Sequence, residues 1–134
     1  MEKLYYNWEE VEELVDLLTQ QITKSGYQIE YIFGLQRGGL IPAVLLSHKL
    51  DIPMTQDPTR QNILIVDDIC DSGETFKEFF LEYPHSIFAC LHFKPHTSCF
   101  NPDFSANKFF SDAWIVYPWE RVDSKAIADY KILS

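Results

Sequence analysis

Apolar positions along the chain change spacing several times, and each change marks an element. Trp8, Val11, Leu14, Val15, Leu18 and Ile22 recur every three or four residues, the spacing of one helix face. Asn7 ahead of them and Glu10 form a capping signature, Glu9 and Glu10 suit the positive end of the helix dipole, and Ser25-Gly26 after Lys24 ends the run. From Gln28 to Leu35 the apolar residues crowd together, which predicts a strand before Gln36-Arg37-Gly38-Gly39 breaks it. Leu40 to Leu50 follows as a helix, with Pro42 tolerated in its first turn.

The pattern then tightens. Ile63 to Val66 are consecutive aliphatic residues, as in a strand buried on both faces, and they run directly into Asp67 and Asp68, which are costly to bury unpaired. Asp71-Ser72-Gly73 comes next, then a helix over about Glu74 to Tyr83 with Phe76, Phe79, Phe80 and Tyr83 on one side. Backbone N–H groups and the hydroxyls of Ser72 and Thr75 converge at that helix N-terminus, which makes a phosphate cradle beside two acids.

Ser86 to Phe93 is mostly apolar, as an internal parallel strand is. Lys94 to Asn107, with Pro95 and Pro102, is expected to be a long irregular loop; Phe109 to Val116 returns as one or two short strands, and Asp123 to Leu133 forms a last helix. Alternating strands and helices predict an α/β fold with a mainly parallel central sheet flanked by helices. Ligands of such sheets sit at the carboxyl ends of the strands, where Gln36 to Gly39, Asp67-Asp68 and Lys94 all fall.

Composition narrows the possible roles. At 134 residues and 46% hydrophobic content, with no internal repeat or linker-like stretch, residues 1–134 are expected to form a single domain. A net charge of -9 argues against broad nucleic-acid or anionic-membrane contact, so an anionic ligand has to be held locally. Cys70, Cys90 and Cys99 lack a CxxC spacing, which fits a reducing cytoplasmic setting, and Cys70 is expected to be passive. The chain shows no signal-peptide pattern and no apolar run of about 18 residues, so it is expected to be soluble. His92 and His96 lie across a strand-to-loop junction, where a spacing of four does not share a face, so no metal site is expected there.

Ile63 to Thr75, ILIV-DD-I-C-D-S-G-E-T, resembles the signature of the type I phosphoribosyltransferases: four hydrophobic residues, two acids, a hydrophobic residue, a variable one, then Asp, Thr or Ser, Gly, a variable residue and Thr. GLQRGGLIPAVLLSHKL, CLHFKPHT and SDAWIVYPWE are similar to segments of the bacterial xanthine-guanine and hypoxanthine group, so the likeness covers most of Phe33 to Glu120. The resemblance implies a core of about residues 1–93 and a small C-terminal base-recognition (hood) segment of about 94–122. It further implies transfer of a phosphoribosyl group from phosphoribosyl pyrophosphate to a 6-oxopurine, with Mg²⁺ as cofactor.

Carried over by position, Asp67 and Asp68 face the ribose hydroxyls directly or through Mg²⁺, with water between where needed. Asp71, Ser72, Gly73, Glu74 and Thr75 wrap the 5′-phosphate, and Gln36, Arg37 and Gly38 line the pyrophosphate loop, whose peptide before the Arg is often cis. Lys94 donates to the purine 6-oxo group, Trp114 stacks on the base, and the Ile115 backbone reads its edge. Arg37, Asp67, Asp68 and Asp71 carry the catalytic roles, with Asp71 as proton acceptor or hydrogen-bond partner of the base.

Family enzymes usually place a long flexible loop ahead of the signature, whereas here only Pro53 to Asn62 separates Ile52 from Ile63, and Arg60 is expected to supply a little of the positive charge that loop would bring to the site. A rival reading is therefore a phosphoribosyltransferase-like module that binds a nucleotide or phosphoribosyl pyrophosphate with little or no catalysis. A Mg²⁺-dependent phosphohydrolase using Asp67 and Asp68 is disfavoured, because no downstream Lys arrangement of that chemistry accompanies them. Tyr5, Tyr6, Trp8 and the Phe-rich surfaces give enough aromatic area for a dimer interface, so a homo-oligomer, a dimer, is expected.

Overall fold

A computed structural model describes residues 2–120, so the helix expected over Asp123 to Leu133 lies outside the described residues. Nine elements follow in order: β1 (Lys3–Tyr5), α1 (Trp8–Ser25), β2 (Tyr31–Gly34), α2 (Leu40–Leu50), β3 (Ile63–Cys70), α3 (Glu74–Glu82), β4 (Ile87–Phe93), β5 (Phe104–Lys108) and β6 (Trp114–Val116). β2, β3, β4 and β5 form a four-stranded sheet in that order, and every pairing within it is parallel. The α/β class with a parallel sheet is thus as expected.

The aliphatic run of β3 is explained by helices on both faces. Leu64 and Val66 join Ala89 and Leu91 of β4 in a cluster that packs on α1 and α2 through Val11, Leu14, Val15, Leu18, Ala43 and Leu46. Ile63 and Ile65 join Phe88 and Cys90 in a second cluster on the other face, closed by Phe76 of α3. Alternate residues of one strand therefore belong to different cores, and neither parity can be polar.

α1 starts as its sequence predicts. The Asn7 side chain accepts from the Glu10 N–H at 2.8 Å, and the Glu10 carboxylate accepts from the Asn7 N–H at 3.0 Å.

Besides the carboxyl end of β3, three boundaries differ from expectation. The strand expected from Gln28 narrows to Tyr31–Gly34, because its partner begins at Ile63, opposite Tyr31. The expected loop from Lys94 to Asn107 contains β5, which pairs Phe104 with Ala89 and Lys108 with Phe93. Its Asn107 is a poor strand former, and pairing to β4, with the Gln21 amide donating to the Ser105 carbonyl at 2.9 Å, holds the segment extended. The expected return over Phe109 to Val116 contracts to β6, whose partner is β1; Lys3, Leu4 and Tyr5 lie opposite Trp114, Ile115 and Val116. No helix among the described residues is long and apolar enough to cross a membrane.

Candidate active site

β3 does not stop at Val66. It continues to Cys70 because β4 runs alongside, with Ile69 opposite His92 and Cys70 opposite Phe93, so Asp67 and Asp68 stand inside the ladder. Both are half-buried. The Asp67 carboxylate accepts from the Asp68 N–H at 2.9 Å, and the Asp68 carboxylate accepts from the Ile69 N–H at 2.8 Å. Desolvation, and then the charge of Asp68, pushes the Asp67 pKa well above the usual carboxylate range; desolvation likewise raises that of Asp68.

The turn after β2 leans on this pair. The Leu35 N–H donates to the Val66 carbonyl at 2.9 Å, the Gln36–Arg37 peptide is cis, and Gly39 N–H returns to the Leu35 carbonyl at 2.8 Å. A Cβ at Gly38 would stand 2.8 Å from Cγ of Asp68, so only glycine lets the Arg37 turn rest on that carboxylate. Gln36 and Arg37 are exposed beside it.

After β3, Asp71 and Ser72 are exposed, and Gly73 turns into α3 with φ of 80°, a left-handed conformation suited to glycine. The Ser72 hydroxyl accepts from the Glu74 N–H at 3.3 Å, and Glu74 and Thr75 open the helix. The cradle is braced from behind, where the Cys99 N–H donates to the Ser72 carbonyl at 2.7 Å.

Lys94 follows β4. Its backbone N–H donates to the Cys70 carbonyl at 2.9 Å, and the residue is only 5% exposed. Lys94 Nζ donates to the Ala113 carbonyl at 3.0 Å and lies 3.7 Å from the Asp71 carboxylate. Ala113 immediately precedes Trp114 and Ile115, which β1 holds in place; Trp114 N–H donates to the Glu2 carbonyl at 2.8 Å. One cation thus joins the segment after β3 to the start of β6.

The sequence-expected residues therefore gather along the carboxyl edge of the sheet. Three further contributors were not singled out in advance. The Thr97 hydroxyl donates to the Asp71 carboxylate at 2.8 Å, the Ala113 carbonyl holds Lys94, and the Tyr117 hydroxyl donates to the Asp68 carbonyl at 3.1 Å. Thr97 had one available cue, its place at the end of a tight turn begun by Lys94, whose carbonyl accepts from the Thr97 N–H at 3.2 Å.

Arg60 corrects an expectation. The Pro53 to Asn62 connection crosses the opposite end of the sheet: the Pro53 and Asn62 carbonyls accept from Ile32 and Glu30, and Arg60 lies 5.1 Å over the Tyr31 ring. Its charge is spent at the amino ends of the strands and does not supplement the site. Cys70 faces the second core cluster, and burial pushes its thiol up to about 11, which fits the passive role expected of it.

No family model matches the chain. The fold superposes on the crystal structure of a purine phosphoribosyltransferase from Pyrococcus horikoshii Ot3 with a TM-score of 0.78 and 30% identity, covering 95% of this chain and 100% of that one. A xanthine-guanine phosphoribosyltransferase from Cereibacter sphaeroides is 31% identical, over 66% of this chain and 68% of the relative. The chain belongs to the type I phosphoribosyltransferase family. A second phosphoribosyltransferase of xanthine-guanine type, from Gluconobacter oxydans, is 26% identical over 84% of this chain and 82% of its own length. In this phosphoribosyltransferase, Asp67 and Asp68 offer the oxygen donors that suit Mg²⁺, and burial that disfavours their charge makes a bound cation welcome. Among the described residues no three potential ligands cluster, and Asp67 with Asp68 is the carboxylate pair whose oxygens fit such a cation.

Proposed function

We propose that this site transfers a phosphoribosyl group from phosphoribosyl pyrophosphate to a 6-oxopurine (xanthine, guanine or hypoxanthine), giving a nucleoside monophosphate and pyrophosphate. The observation that carries the reading is Lys94, whose Nζ spans the Ala113 carbonyl at 3.0 Å and the Asp71 carboxylate at 3.7 Å. A purine seated there meets Trp114 on its face, the Ile115 backbone on its edge and a cation at its 6-oxo group.

Asp71 to Thr75 hold the 5′-phosphate, chiefly through backbone N–H groups and hydroxyls at the start of α3. Gln36, Arg37 and Gly38 receive the pyrophosphate, and Arg37 meets the charge that grows on it as the bond to the anomeric carbon breaks. Asp67 and Asp68 orient the ribose hydroxyls and hold Mg²⁺, directly or through water. When bound, Mg²⁺ neutralises part of the leaving group's charge. Asp71, oriented by the Thr97 hydroxyl, takes or holds the proton of the attacking base.

On the same reading residues 1–134 act as one domain, with a core of about 1–93 and a base-recognition segment of about 94–122, working in the cytoplasm as a homodimer. Sedimentation of the full chain tests the dimer. A steady-state assay with phosphoribosyl pyrophosphate, Mg²⁺ and each of the three bases tests the activity; absence of pyrophosphate release with all of them removes it.

One observation favours the second reading, binding with little catalysis. The Pro53 to Asn62 connection is fastened at the amino ends of β2 to β4, away from the edge where a cover is needed to exclude water. Calorimetry showing tight Mg²⁺-linked nucleotide binding in protein without turnover selects this alternative.

A further inference from the structure

The proposed transfer gives no role to His92 or to the Tyr117 hydroxyl, yet the two form a buried polar contact against the backbone of the carboxylate pair. His92 is fully buried on β4, opposite Ile69 of β3 and Asn107 of β5. Tyr117 directly follows β6 and stacks on Trp119, with ring centroids 4.8 Å apart and planes 3° from parallel. Its hydroxyl lies 2.7 Å from His92 Nδ1 and donates to the Asp68 carbonyl at 3.1 Å.

Proton counting gives this chain a direction. A hydroxyl has one proton; with that proton on the Asp68 carbonyl, the Tyr117 oxygen is left to accept from His92 Nδ1–H. Burial, with the Lys94 charge nearby, lowers the His92 pKa to about 4, so near neutral pH the ring carries one N–H. Nε2 is then a bare acceptor, and it is buried with no hydrogen-bond partner among the described residues. Tyr6, edge-on at 4.7 Å, and Phe109 at 5.8 Å pack around the ring.

The relay grips one peptide plane from one side. The Asp68 carbonyl belongs to the same peptide as the Ile69 N–H, and that N–H donates to Asp68's own carboxylate at 2.8 Å. Tilting the plane turns the carboxylate, and that carboxylate is what Gly38 and the Arg37 turn rest against.

We infer that His92 and Tyr117 are positioning residues for the transfer reaction: a one-way relay, His92 Nδ1–H to Tyr117 hydroxyl to Asp68 carbonyl, locks the residue that follows the base-recognition strand β6 to the ribose-reading acids. The inference rests on the phosphoribosyl-transfer reading proposed above. The relay makes an occupied base segment and a correctly aimed Asp68 parts of one hydrogen-bonded unit. It differs from packing because it depends on a single oxygen and a single tautomer.

Tyr117→Phe removes that oxygen and keeps the ring on Trp119. The expected result is a rise of about tenfold in KM for phosphoribosyl pyrophosphate, a lower kcat, and a KM for the base within about twofold of the parent. Unchanged kinetics in folded Tyr117→Phe overturn the relay. His92→Leu is expected to share the defect, and His92→Asn, whose amide nitrogen stands where Nδ1 does, to recover most of it; equal defects in both variants speak against a directional donor. Histidine ¹⁵N spectra of the parent protein, free of ligand, are expected to show His92 as the Nδ1–H tautomer, and an Nε2–H tautomer sinks the relay. The spectra need no turnover, so an inactive parent removes the activity reading while the tautomer still decides the relay.

Discussion

At the amino ends of β2, β3 and β4 the polar groups spend their bonds on one another: the Asn62 carbonyl takes the Glu30 N–H, Arg60 covers Tyr31, and the Arg60 carbonyl meets His85 at 2.9 Å. At the carboxyl ends of the same strands, two acids stand side by side with raised pKa values, a glycine turn leans on one of them, and a buried lysine is shared between two segments. At the first end these groups are paired and the Ser86 hydroxyl alone is a buried neutral group without a partner among the described residues, while the second end keeps charge in places that burial makes costly. That contrast teaches where a ligand belongs: at the end where the protein alone does not offset its own electrostatics.

The sharpest way to break the contrast is Asp67→Asn. Activity is expected to fall about 100- to 1000-fold in kcat/KM, because charge placed for the transition state is lost. The melting temperature without Mg²⁺ is expected to rise. Asp67 has a raised pKa, so above its ordinary 3.8 the folded chain binds more protons than the unfolded one, and stability drops as pH climbs through that window. Steady-state assays and thermal melts of the same samples check both halves; a melting temperature that falls shows that the pair is not under strain.

Gly38→Ala comes next, with a loss of about 100-fold in kcat/KM, since the new Cβ pushes the Arg37 turn from Asp68 by a fraction of its own width. Lys94→Met keeps the stem and removes the cation; the KM for the base is expected to rise about tenfold to a hundredfold, more than that for phosphoribosyl pyrophosphate. An equal rise in both would move Lys94 out of the base subsite.

His92 gives a smaller effect, read in acid. Its pKa of about 4 lies below the ordinary 6.5, so as pH falls between those values the unfolded chain takes a proton that the folded ring refuses. Stability is expected to drop by about 2 kcal/mol from this residue by pH 5, and urea melts of folded His92→Phe are expected to show a flatter acid limb. Smallest of all is Arg60→Ala, with stability within about 0.5 kcal/mol and little change in turnover. A tenfold loss of turnover there would bring the connection back to the site.

What could be read in advance follows the reach of each signal. Ile63 to Val66 declared a strand between two cores because local pattern alone decides it, and Asn7 with Glu10 declared a helix start for the same reason. β5 and β1 were hidden because Ser105, Asn107 and Lys3 become strand residues only through partners far along the chain. Arg60 was misassigned because charge says nothing of which sheet edge a connection crosses. Tyr117 and Thr97 escaped because a hydroxyl's partner is set by the fold, not by its neighbours in sequence.

The parallel pairing of β1 with β6 also has a meaning in time. Lys3 leaves the ribosome early and Trp114 late, yet each is the other's neighbour in the finished ladder. Closing so long a loop is entropically slow, and every other strand can pair before it does. The phosphate cradle between β3 and α3, made of residues close in sequence, can therefore form on a growing chain, whereas the strand bearing Trp114 and Ile115 waits for its partner. On the phosphoribosyl-transfer reading proposed above, the grip on the phosphate is thus expected to form before the choice of base.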